Sequence, residues 1–118
     1  MRQKFSESEV VAKLAAKALD DKKGEDIKVL DLRSIPSAPA EFFVIASGNV
    51  PSHVSAMSDN VFEVIKKATG VNPSKVEGYQ NAEWILMDYF DVVVHIFQKE
   101  KREFYRLDQL WEDGIEVK

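Results

Sequence analysis

Phe42-Phe43-Val44-Ile45-Ala46-Ser47-Gly48-Asn49, with Pro51 close behind, is the stretch on which the fold turns. Phe42 to Ala46 is the longest apolar run in the chain, far too short to span a membrane. Its lack of polar alternation predicts a strand covered on both faces, as interior strands of an α/β sheet are. Gly48 and Asn49 permit a sharp turn from strand to helix, with Asn49 or Ser52 as the cap and Pro51 tolerated in the first helical turn. Val54, Met57, Val61, Val64, Ile65 and Ala68 then recur as one stripe, which Gly70 ends.

Upstream of this stretch, Ser6 and Glu9 form a capping box, and Val10, Val11, Leu14, Ala15, Ala18 and Leu19 follow at helical spacing until Gly24. A first helix is expected over 7–22. Ile27 to Leu32 reads as a strand, and Ser34 to Ala40, with Pro36 and Pro39, as a loop. Downstream, a short strand is expected around Val76. Trp84 to Asp88 and Val92 to Phe97 read as a hairpin joined by Tyr89, Phe90 and Asp91. From Lys99 onward Phe104, Leu107, Leu110 and Trp111 return to helical spacing; no pattern is evident after Gly114. One crossover helix and one hairpin favour a mixed β-sheet packed with α-helices, a single α/β domain over 1–118.

Composition narrows the function. Sixteen basic against twenty acidic side chains give a net charge of −4, so direct binding to free nucleic acid or to anionic membranes is not expected. The absence of cysteine removes disulfides, thiolate metal sites and a cysteine nucleophile, and suits a reducing, cytoplasmic setting. Residues 77–118 carry five bases and ten acids, a local excess able to steer a basic protein partner. His53 and His95 lie in no metal-ligand or triad pattern, and His95, closing Val92-Val93-Val94, reads as a structural histidine. The Ser47-Gly48-Asn49 turn could approach a phosphate, yet it carries neither phosphate-loop glycine pattern, and the chain has no D-x-D pair. Asp88 and Asp91 flank a turn and are expected to bond local backbone.

Ala82-Glu83-Trp84-Ile85-Leu86-Met87-Asp88-Tyr89 carries the strongest binding signal. Alternation sends Trp84, Leu86 and Asp88 to one face and Ile85, Met87 and Tyr89 to the other, so both faces hold large apolar groups. A tryptophan among carboxylates is a binding anchor; under a helix it is core. Strand parity leaves both readings open.

Read together with Asp26-Ile27-Lys28-Val29-Leu30-Asp31-Leu32, Val76-Glu77-Gly78, Asp91-Val92-Val93-Val94-His95, Arg102-Glu103-Phe104-Tyr105 and Leu110-Trp111, these motifs resemble in order and spacing the ribosomal silencing factor family RsfS, also called Iojap or YbeB. The resemblance runs from about Lys17 to Asp113, leaving 1–16 and 114–118 outside it. It implies a nucleotidyltransferase-like fold without that group's catalytic carboxylates. It also implies a non-enzymatic factor that docks on the large ribosomal subunit through its fourteenth protein, blocks subunit joining and silences translation under starvation. A homodimer is a further implied partner. On this reading Trp84 is the anchor with Leu86 beside it. Glu77, Glu83, Asp88 and Asp91 meet basic groups, and Tyr89 and His95 flank them. No catalytic residue, metal or cofactor is expected. The alternatives are a small nucleotide-binding, nucleotidyltransferase-like enzyme using the Gly48 turn, and a large-subunit assembly factor. Two departures stand out: Phe90 occupies a turn position where the family has glycine, and Val50 one where a small hydroxyl residue is common.

Overall fold

The computed structural model describes residues 7–107, 111 and 113–117; the capping serine at position 6 and the expected packing residue at 110 lie outside the described residues. In chain order the elements are α1 (Glu7–Asp21), β1 (Glu25–Asp31), β2 (Phe42–Gly48), α2 (Pro51–Thr69), β3 (Lys75–Glu77), β4 (Trp84–Asp88), β5 (Val92–Gln98), α3 (Lys99–Tyr105) and β6 (Ile115–Glu116). The strands make a single mixed sheet in the order β3-β4-β5-β2-β1-β6. β2 and β5 run parallel at its centre, and every other pairing is antiparallel. The α/β mixed-sheet expectation holds.

β2 sits between β1 and β5, and all seven of its residues are buried, which is why its sequence shows no alternation. Its side chains still alternate in direction. Phe42, Val44 and Ala46 join the core made with α1 and α2, while Phe43 and Ile45 join a second, smaller core on the opposite face. On the first face α1 contributes Ala12, Ala15, Ala18 and Leu19, all fully buried, and the small alanines let α1 lie close to its neighbours. α2 contributes Val54, Met57, Val61 and Ile65. Full burial of each larger side chain is worth about 1.5–3 kcal/mol. Asn60 of α2 donates to the Ala18 carbonyl at 2.8 Å. The His53 ring also bridges, accepting from the Asn49 N–H at Nδ1 (3.2 Å) and reaching the Lys22 carbonyl through Nε2 (2.8 Å). These bonds tie the first half of α2 to the last turn of α1 and the residue after it.

Several local expectations are corrected. The α2 cap is Val50, in extended conformation and with no side-chain hydrogen bond, because Pro51 already fixes the first turn; neither Asn49 nor Ser52 caps. Ala68 is exposed, since the helix outruns the sheet it covers. α2 stops where expected, at Gly70 in the left-handed region (φ 76°), whose N–H donates to the Lys66 carbonyl. β1 starts earlier than expected, its register with β2 being irregular between Glu25 and Lys28. α3 is short, ending at Arg106 with φ 53°. β6, for which the sequence gives no signal, pairs with β1 through Ile115 and Glu116.

Candidate functional site

Ile85, Met87 and Tyr89 are buried in the core with α1 and α2, so the alternate residues of β4, Trp84, Leu86 and Asp88, face the other way. Among the described residues, that second face is covered by α3, Leu107, the 32–41 loop and Trp111. Trp84 and Leu86 remain partly exposed at its margin.

Trp84 is held on three sides. Its ring stacks on Phe97 at 5.0 Å between centroids and meets Tyr105 of α3 at 4.7 Å, while its Nε1–H donates to His95 Nδ1 at 3.1 Å. The strand entering it is shaped by Gly78, whose φ of 80° suits glycine and where a Cβ would collide with the Trp84 carbonyl oxygen. The Ala82 N–H then closes a turn onto the Gly78 carbonyl at 2.9 Å, and Gln98 N–H bonds the Glu83 carbonyl at 2.8 Å. α3 is rooted by Arg102, which donates to the Asp26 carbonyl at 2.7 Å and to Ser47 Oγ at 2.9 Å. Sequence periodicity singled out Phe104 and Leu107 for this helix and missed Tyr105, the residue that reaches the indole. Tyr105 is nearly half exposed, and only its place in the Arg102–Tyr105 run pointed to it.

The remaining expected site residues divide. His95 and Tyr89, expected to flank the anchor as contacts, are 3% and 5% exposed, so neither presents a surface to a partner. His95 lies on the Trp84 face, edge-on to Phe43 at 4.6 Å, and desolvation pulls its pKa down to about 4. Tyr89 lies on the opposite face, where burial pushes its phenol up to about 12. Glu77 and Glu83 are exposed, but each has a lysine nearby, Lys75 at 3.7 Å and Lys101 at 3.9 Å, which softens the acidic rim. Asp88 Oδ1 accepts the Phe90 N–H at 2.8 Å, as aspartates at hairpin ends do. Asp91 is exposed, and its carbonyl bonds the N–H groups of Glu41 and Phe42. Phe90 adopts φ 71°, the left-handed conformation for which glycine is suited, with its ring 68% exposed.

The Ser47-Gly48-Asn49 turn spends its groups inside the chain. The Asn49 N–H goes to His53, Ser47 Oγ to Arg102, and a Cβ at Gly48 would press on Met57 and Val54. Glycine there serves close packing of α2. Among the described residues, no three histidine, aspartate or glutamate side chains converge as metal ligands.

The sequence model of a family described as "Ribosomal silencing factor during starvation" matches residues 5–118. The chain belongs to this family, RsfS. The ribosomal silencing factor RsfS of Bacillus subtilis is 41% identical over 104 residues, 88% of this chain and 86% of that one. A crystal structure of a Chromobacterium violaceum protein, 36% identical, superposes with a TM-score of 0.84 and covers 91% of this chain and 88% of its own. More distantly, a mouse protein named for mitochondrial assembly of the ribosomal large subunit is 33% identical over 73 residues, 60% of this chain and 32% of that one. The RsfS match thus takes in both sheet faces and the whole aromatic cluster around Trp84.

Proposed function

We propose that this chain is a ribosomal silencing factor that docks on the large ribosomal subunit through its fourteenth protein and so keeps the small subunit from joining. It acts in the cytoplasm, by occupancy, with no bond made or broken. Beyond family membership, the observation that carries the reading is the half-covered sheet face on which Trp84 and Leu86 stay accessible while every other large side chain of β4 is buried. An aromatic residue backed by packed neighbours is the usual energetic centre of a protein interface. A patch of about 800 Å² per partner suffices for a specific complex. Glu77, Glu83, Asp88 and Asp91 form the rim, suited to meeting a basic ribosomal protein. Tyr89 and His95 drop out as direct contacts because they are buried.

Cosedimentation with purified large subunits on sucrose gradients tests the reading. The unsubstituted chain is expected to travel with the large particle and to deplete complete ribosomes. Trp84→Ala is expected to lose more than about 2 kcal/mol of binding at a temperature where circular dichroism shows it folded. Normal binding by folded Trp84→Ala removes the anchor, and no cosedimentation by the unsubstituted chain removes the function. The name of the mouse relative favours a second reading, in which the same surface serves large-subunit assembly. Binding to immature but not to mature particles would select it.

A further inference from the structure

We propose that His95 is a positioning residue for the Trp84 indole, fixing through Nδ1 the orientation in which the ring is offered at the half-covered face without itself touching the partner. The inference rests on the docking function proposed above and adds to it a residue that acts from inside the sheet.

The indole has one polar group, a donor, and it is spent on His95 Nδ1 at 3.1 Å. For Nδ1 to accept, its lone pair must be free, so in the neutral ring the proton sits on Nε2. That nitrogen is buried and has no hydrogen-bond partner among the described residues. An apolar side chain at this point of β5 would fill the same space without an unsatisfied N–H, and buried groups left so ask for an explanation. Packing requirements alone do not supply one.

The geometry does. Phe97 and Tyr105 contact the indole ring, and such non-directional contacts do not by themselves fix its χ1 and χ2 torsions. The bond to Nδ1 is directional and removes that freedom. His95 is in turn clamped. Phe43 meets it edge-on at 4.6 Å, Phe97 lies nearly parallel to it at 6.3 Å, and its backbone is paired with Leu86 on one side and Ile45 on the other. The rigid centre of the sheet is thereby transmitted to one half-exposed ring, and a preorganised anchor binds with less entropic loss.

The test uses the full chain with His95→Leu, followed by large-subunit binding, thermal melting and the NMR cross-peak of the Trp84 indole N–H, told apart from that of Trp111 with Trp84→Phe. The expected result is an unchanged or raised melting temperature, faster hydrogen exchange at the Trp84 indole and about a tenfold weaker Kd, equivalent to about 1.4 kcal/mol. His95→Asn, which keeps an oxygen acceptor near the position of Nδ1, is expected to restore most of the affinity. Because the effect runs through the indole N–H, His95→Leu should cost nothing further in a Trp84→Phe background. Wild-type affinity in His95→Leu, an equal loss in both backgrounds, an undisturbed indole signal, or failure of His95→Leu to fold each overturns the inference while leaving the docking function standing. Absence of binding by the unsubstituted chain overturns both.

Discussion

Ile85 and Leu86 are neighbours in β4, yet Ile85 is fully buried with α1 and α2 while Leu86, one pleat away, is only partly covered. The same contrast runs across the sheet. One face lies under a 15-residue and a 19-residue helix; the other has a 7-residue helix, a loop and a few rings. Both faces are apolar, so hydrophobic content does not separate them. What separates them, among the described residues, is the length of helix laid over each. The first face spends its apolar surface on stability, and the second keeps part of it accessible.

Substitution at the two neighbours gives the largest expected difference. Ile85→Ala should lower unfolding free energy by about 2–5 kcal/mol in denaturant titration, with binding per folded molecule unchanged. Leu86→Ala should cost about 1 kcal/mol of stability or less and weaken large-subunit binding instead. Equal destabilisation at both positions would break the contrast.

pH sharpens it. Burial pulls the folded-state pKa of His95 from 6.5 down to about 4, so the unfolded chain takes up the proton first. The contribution is complete above pH 6.5 and lost as pH falls from there toward about 4, with a slope of up to about 1.4 kcal/mol per pH unit. His95→Leu should flatten that part of the stability profile. A profile identical to that of the unsubstituted chain would refute the burial assigned to this ring.

Smaller effects are expected at the margin. Phe90→Gly relieves a left-handed backbone at a ring that is 68% exposed, and should raise stability by up to about 1 kcal/mol on thermal melting. Glu83→Lys should slow association with the large subunit a few-fold at low salt and hardly at all at physiological salt. Its modest size follows from Lys101, already 3.9 Å from that carboxylate.

Much of the fold was legible from residue pattern. The unbroken apolar run of β2, the α1 and α2 stripes and the β4–β5 hairpin each carry their own local signature, and together they imply a mixed sheet. β6 was not legible because two residues make no pattern and their pairing to β1 is wholly long-range. The α2 cap carries no side-chain signature because proline geometry, not a side-chain acceptor, starts that helix. For the site, alternation separated Trp84 and Leu86 from Ile85 and Met87. It gave no means of telling which set the helices would cover, since both are apolar. The reach of Tyr105 depends on α3 being held against the sheet by Arg102, a contact between residues 55 positions apart, and the burial of His95 on the rings of Phe43 and Trp84 brought to it from other strands.

The central parallel pairing has a further consequence, for the order in which the molecule can be made. β2 must wait for β5, which the ribosome delivers some fifty residues later. Until then Phe42 to Ala46 form an unpaired apolar edge on a nascent chain whose α1, β1 and α2 are already synthesised. A polypeptide halted before Val92 should therefore aggregate rather than persist as a stable half, leaving only chains finished through β5 able to reach the native state.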